Sequence, residues 1–140
     1  MTPMVLDALD TRIGRYEQYA STIFRLALAL TILLAGMHKL VSPEAWYAYL
    51  APLFFDLWPT AVVPLDPTFR LFGVSEVVFG LVLLSEWHTP TVATIVGLSL
   101  LGVVLNLFVA VGQGAPYVDV LVRDIGLTLL AFGVAVETAR

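Results

Sequence analysis

Apolar residues run almost unbroken through four stretches of the chain, and polar residues gather between them. The stretches lie at about 21–40, 68–87, 91–111 and 118–136. Each is about 19–21 residues long, which at 1.5 Å per helical residue matches a hydrocarbon core of roughly 30 Å. Lipid offers no partner to backbone N–H and C=O groups, so such stretches must be helical. A β-barrel would show shorter, alternating segments. The pattern predicts an all-α integral membrane protein, a four-transmembrane-helix bundle occupying 21–136, with a short tail at 137–140.

The segment before the first stretch has a different period. Leu6, Leu9, Ile13, Tyr16 and Ala20 fall on one helical face, while Asp7, Asp10, Arg15, Glu17 and Gln18 fall elsewhere. This spacing predicts an N-terminal interfacial helix within 1–20. The polar-mixed lead and the length of the first stretch are unlike a cleaved leader. The connection from Val41 to Pro67 is long and rich in Trp46, Tyr47, Tyr49, Phe54, Phe55 and Trp58, residues suited to the headgroup zone. Within it, Ser42-Pro43-Glu44 reads as a helix start with Ser42 at the N-cap, predicting a short amphipathic helix in the first loop. The remaining connections, around 87–90 and 112–117, are short and broken by Gly and Pro, so the helices they join should be antiparallel neighbours. Arg12, Arg15 and Arg140 flank the bundle outside its short loops, which places both termini in the cytoplasm of a multi-pass cell-membrane protein.

Composition agrees. The chain is 59% apolar and 13% charged, against about 45–50% and about 25% in soluble domains. A net charge of −4 without a basic patch excludes a nucleic-acid binder. The absence of cysteine removes thiol chemistry, thiolate metal sites and iron–sulfur clusters. The chain has two histidines, and the four-span layout puts His38 and His88 at opposite membrane faces, so they cannot ligate one haem. No metal site and no covalently bound cofactor are expected.

Charges inside apolar stretches are costly, about 2.5–3.5 kcal/mol each near the bilayer centre, and persist mainly when paired or functional. Counting from helix ends puts Lys39 and His38 near one boundary. Glu76 falls roughly 12 Å deep from that side, and Asn106, Arg123 and Asp124 about 8–9 Å deep. These six residues are the candidate pocket, and the formal charges of Lys39, Glu76, Arg123 and Asp124 cancel. Arg25 lies at the other end, where Glu137 is its expected partner. Arg25, Ala29, Ile32, Gly36 and Lys39 share a face of the first stretch, Gly73, Glu76 and Gly80 one of the second. Asp119, Arg123, Gly126, Leu130, Gly133 and Glu137 share one of the fourth. Small residues beside charged ones mark helix contact surfaces. The cluster has two readings: ion pairs that fix helix register, or a polar pocket for a ligand, a quinone head group or a proton, with Glu76 as the proton carrier.

Several short motifs resemble the DoxX family of four-span membrane proteins: Ala35-Gly36-Met37-His38-Lys39-Leu40, Glu76-Val77-Val78-Phe79-Gly80-Leu81, the Arg123-Asp124 pair, and Arg25 early in the first stretch. The resemblance covers about 21–136. It implies a four-helix bundle with an amphipathic segment in the first extracytoplasmic loop. Related DoxD-type proteins are subunits of a thiosulfate:quinone oxidoreductase, some DoxX proteins are linked to thiol or oxidant defence, and distant relatives are assembly factors. The chain departs from thiol-relay chemistry in having no cysteine, and it is shorter than a DoxD-type subunit.

Three functions remain at this level. The first is an accessory or subunit of quinone-linked redox metabolism, with a membrane redox partner. The second is a non-catalytic assembly or scaffold protein whose ion pairs are structural. The third is a proton or small-solute carrier acting as a homo-oligomer. The sequence assigns no catalytic residues.

Overall fold

The computed structural model describes residues 3–140, and all regular structure among them is helical. Helix α1 spans Pro3–Gly14 and a 3-10 turn follows at Glu17–Tyr19. The long helices are α2 (Ala20–Val41), α5 (Leu65–Leu84), α6 (Thr89–Gly112) and α7 (Val118–Thr138), with short helices α3 (Glu44–Tyr47) and α4 (Pro52–Leu57) between α2 and α5. Three helical segments are long and apolar enough to cross a membrane: Glu17–Val41, Leu65–Leu84 and Thr89–Gly112. Helix α7, at 21 residues, is as long but carries Asp119, Arg123, Asp124 and Glu137, so composition alone singles out three spans rather than the expected four.

Helix boundaries follow local chemistry. Pro90 sits in the first turn of α6, where a missing N–H costs nothing. The end of α6 is a Schellman motif: Gly114 has φ +92°, its N–H reaches Val111 O at 3.0 Å, and Ala115 N–H reaches Ala110 O at 3.0 Å. The α5–α6 turn is less ordinary, because Glu86 (φ 62°) and His88 (φ 47°) both adopt the left-handed conformation that non-glycine residues avoid.

The long helices pack as two antiparallel pairs, α2 with α5 and α6 with α7, and the two pairs touch each other much less. The short α5–α6 turn therefore does not make close neighbours of the helices it joins. In the first pair the backbones approach at glycines. A Cβ on Gly36 would lie 2.7 Å from Gly73 O, one on Gly73 would lie 2.8 Å from Gly36 O, and one on Gly80 would meet Leu33 Cβ at 2.8 Å. In the second pair Gly97 gives the space that the ring of Phe132 occupies.

Packing is uneven along the bundle. At the end marked by Arg25 and His88, Leu28, Ala29, Ile32, Leu83, Val92, Ala93, Val96, Ala131, Val134 and Ala135 fill the centre as one buried cluster. At the other end the pairs diverge around a cavity, and the loop carrying α3 and α4 folds over it. The loop holds two short helices where the sequence predicted one. The first starts at Glu44 with Pro43, not Ser42, as its N-cap. Pro43 and Ala51 are fully buried, so this is a packed element of the fold.

Helix α1 stands apart. None of its residues is buried, and Met4, Val5, Leu6, Leu9 and Ile13 are all exposed. Its apolar residues are left open in the structure.

Candidate functional site

The six residues grouped by their depth along the sequence all border one cavity of about 640 Å³ between the helix pairs: His38 and Lys39 from α2, Glu76 from α5, Asn106 from α6, Arg123 and Asp124 from α7. The remaining wall is mostly apolar, with Phe69, Phe72 and Phe79 from α5 and with Trp46, Tyr49 and Trp58 from the loop.

The close glycine contact places the first ion pair. Gly36 and Lys39 are one helical turn apart, as are Gly73 and Glu76, so the α2–α5 crossing brings Lys39 and Glu76 side by side. A Cβ on Gly36 would lie 2.8 Å from Glu76 Cβ, and one on Gly73 would lie 2.9 Å from Lys39 Cβ. Across this crossing Lys39 Nζ donates to both carboxylate oxygens of Glu76 at 2.7 Å. The side chains are 10% and 19% exposed, so the pair is largely withdrawn from solvent. Lys39 Nζ also lies 3.8 Å from the centroid of the Trp46 ring, a cation–π contact. The ammonium is thereby fully occupied by the protein itself.

Trp46 has a second anchor, its Nε1–H donating to His38 Nδ1 at 2.8 Å. Nδ1 is thereby engaged as an acceptor, and Nε2 is the ring nitrogen left over. Trp46 is thus held over the cavity by two consecutive residues of α2. In the sequence Trp46 is one aromatic among several; the readable signal is the Ser42-Pro43 break, which turns the chain back within eight residues of His38.

Asn106 does something other than meet a ligand. Its Oδ1 accepts from Ala51 N–H at 2.9 Å and its Nδ2 donates to Tyr49 O at 2.9 Å, so the amide fastens the loop to α6. Gln113 Oε1 adds a bond from Leu53 N–H at 3.2 Å, and Tyr117 OH one to Ala48 O at 3.3 Å. Arg70 from α5 donates to Leu40 O at the end of α2.

On α7, Arg123 Nε donates to Asp124 Oδ1 at 2.8 Å. The pair divides sharply in exposure, with the Arg123 side chain 56% exposed and that of Asp124 7%. The expected contact face of α7 is corrected here. Arg123, Gly126 and Gly133 face outward, and no neighbour comes within 4 Å of a Cβ placed on either glycine. The packed face carries Leu121, Asp124, Thr128, Ala131, Val134 and Ala135.

The pairing at the opposite end of the bundle is also corrected. Arg25 meets Glu86, not Glu137: Arg25 Nη2 lies 2.6 Å from Glu86 Oε1, and Nη1 donates to Leu83 O at 2.7 Å and Leu84 O at 3.2 Å. The tight α2–α5 packing brings the end of α5 onto Arg25, and the left-handed backbone of Glu86 turns its carboxylate back to meet it. Glu137 instead lies 3.5 Å from Arg140 on its own helix.

Of the six candidates, then, Lys39, Glu76 and Asn106 are satisfied within the protein, whereas His38 Nε2 and the Arg123 Nη groups have no protein partner among the described residues. Compared with family models, with curated proteins and with solved structures, the chain matches none.

Proposed function

We propose that the chain is a four-span integral membrane protein similar to the DoxX family, and that its cavity is the berth of a quinone head group in quinone-linked redox metabolism, where the chain acts as a small subunit or accessory. One observation carries this reading: a cavity of about 640 Å³ lies at the level of the polar cluster, lidded by Trp46, Tyr49 and Trp58. Its size and mostly apolar wall suit a small amphiphile whose ring enters and whose tail leaves between helices. Helix α7 is read as the fourth span because Arg123 and Asp124 neutralise each other and Asp119 and Glu137 fall near its ends. With both termini cytoplasmic, the cavity opens in the outer half of the membrane, and α1 lies on the inner surface.

The test is direct. Protein in lipid nanodiscs is titrated with decylubiquinone while tryptophan emission is followed, since Trp46 and Trp58 border the cavity. Saturable quenching, absent from a control membrane protein of similar tryptophan content, supports the berth. Quenching that grows linearly and equally in both contradicts it.

A second reading, a non-catalytic assembly or scaffold protein, is favoured by one fact: Lys39, Glu76 and Asn106 direct their hydrogen bonds into the protein. On that reading no quinone raises the melting temperature.

A further inference from the structure

The loop over the cavity is fastened by two kinds of contact. Its later part is held by amides: Asn106 accepts from Ala51 N–H and donates to Tyr49 O, and Gln113 Oε1 accepts from Leu53 N–H. None of these groups titrates. Its earlier part, α3, is held at the cavity through Trp46, and there the contacts depend on charge. The Trp46 ring lies over the Lys39 ammonium at 3.8 Å, and its Nε1–H donates to His38 Nδ1 at 2.8 Å.

An indole N–H donates and accepts nothing, so the bond to His38 exists only while that ring nitrogen carries no proton. Imidazole is the side chain that ordinarily gains its charge between about pH 5 and 8, and His38 is exposed, where a proton can reach it. The elements packed around it bring Lys39 on its own helix, Glu44 and Tyr47 on α3, and Tyr49 just beyond. Helix α5 brings Arg70 and Glu76, α7 brings Arg123 and Asp124, and α6 carries no titratable residue. Lys39 is paired with Glu76, Arg123 with Asp124 and Arg70 with Asp66, and Glu44 is exposed. A proton on His38 therefore meets no unpaired buried carboxylate among these groups, and it adds a second cation to the indole that already covers Lys39.

We propose that His38 is a proton-operated latch on the cavity: neutral, it holds Trp46 in place over the cavity, and protonated, it lets the indole go, while Asn106 and Gln113 keep the rest of the loop fastened. Acidification thus opens the cavity at Trp46 without detaching the lid. The Lys39 contact survives the change, but it engages only the face of the ring and leaves the indole free to turn. The latch does not depend on which ligand the cavity takes.

The experiment measures deuterium exchange of the tryptophan indole N–H groups by nuclear magnetic resonance, in isotope-labelled wild-type protein in nanodiscs. The chain has three tryptophans, and Trp46→Phe and Trp58→Phe assign their signals. Trp58 is the internal reference, because its Nε1–H donates to Val63 O at 2.6 Å, a carbonyl that does not titrate. The ratio of the Trp46 rate to the Trp58 rate cancels the intrinsic pH dependence of indole exchange. This ratio is expected to rise about fivefold from about pH 8 to about pH 5, the equivalent of one lost hydrogen bond. It is expected to stay flat in His38→Gln, whose amide oxygen accepts at both pH values; His38→Asn replaces that variant if it does not fold. The amides of Ala51 and Leu53 are expected to keep their protection throughout. A flat ratio in wild type overturns the latch, and so does a rise that persists without His38. Loss of protection at Ala51 and Leu53 together with Trp46 also overturns it, because the whole loop would then be leaving.

Discussion

Gly36 and Gly73 touch so closely that a methyl group on either would lie within 2.8 Å of the other's carbonyl oxygen. Such a contact is possible only without side chains, and it sets how near α2 and α5 come. Because Lys39 and Glu76 each follow their glycine by one helical turn, the same contact sets the ion pair that borders the cavity.

Alanine at either glycine must push the helices apart, because the nearest obstructing atom at each is a backbone carbonyl oxygen. Gly36→Ala and Gly73→Ala are each expected to destabilise the protein by about 1–3 kcal/mol, as over-packing does. Gly126→Ala and Gly133→Ala, with open space around the added methyl, are expected to be neutral or to stabilise by up to about 1 kcal/mol through helix propensity. Reversible unfolding of the four variants in one detergent checks the contrast.

Removing one member of the Lys39–Glu76 pair leaves a largely buried charge alone. Lys39→Met is expected to cost about 3 kcal/mol, the lower part of the range for broken buried pairs because Glu76 keeps some exposure. The double variant Lys39→Met/Glu76→Leu is expected to recover most of that loss, since a neutral apolar pair suits this wall. A double variant as unstable as the single one would mean that the pair acts through contacts other than charge.

At the opposite end, the two partners of the Arg25–Glu86 bridge differ in what they hold. Arg25 is buried and caps the carbonyls of Leu83 and Leu84, whereas the Glu86 side chain is 71% exposed. Arg25→Met is expected to cost about 2 kcal/mol or more, leaving carbonyls unpaired. Glu86→Gly exchanges an exposed ion pair worth about 0–1 kcal/mol for relief of a left-handed backbone of similar cost, so it is expected to stay within about 1 kcal/mol of wild type. Thermal unfolding of the two variants side by side decides this.

Asn106 fastens the loop through two backbone bonds. Asn106→Leu is expected to free residues 48–57 while leaving the helix pairs formed. Limited proteolysis should cut the variant in this loop at least several-fold faster than wild type, with an unchanged helical circular-dichroism spectrum.

The helices were legible because their apolar runs are long and their breakers, Pro90 and Gly114 among them, are strong. The grouping of six candidate residues at one cavity was legible from depth alone, since depth depends only on the count from a helix end. Direction around a helix was harder. On α7 apolar residues surround the whole helix, so Gly126 and Gly133 looked like a contact stripe, while the packed face runs through Asp124, Thr128 and Ala131. Partner choice was hardest. Glu86 reaches Arg25 through a left-handed turn that no periodicity announces, and Asn106 looked like a ligand group because nothing in its neighbours reveals the loop backbone it binds.

The central claim, that the space between the helix pairs is a binding site and not a packing gap, is tested most directly at Gly102. This residue borders the cavity, and no neighbour lies within 4 Å of a Cβ placed on it, so Gly102→Leu has room for its first carbon and is expected to take up cavity space. The measurement is the melting temperature with and without saturating decylubiquinone. A ligand at 100 times its Kd stabilises by about 2.7 kcal/mol, so wild type should show a rise of several degrees that the variant, folded and at least as stable without ligand, does not show. An equal rise in both proteins, or none in wild type, would contradict the account.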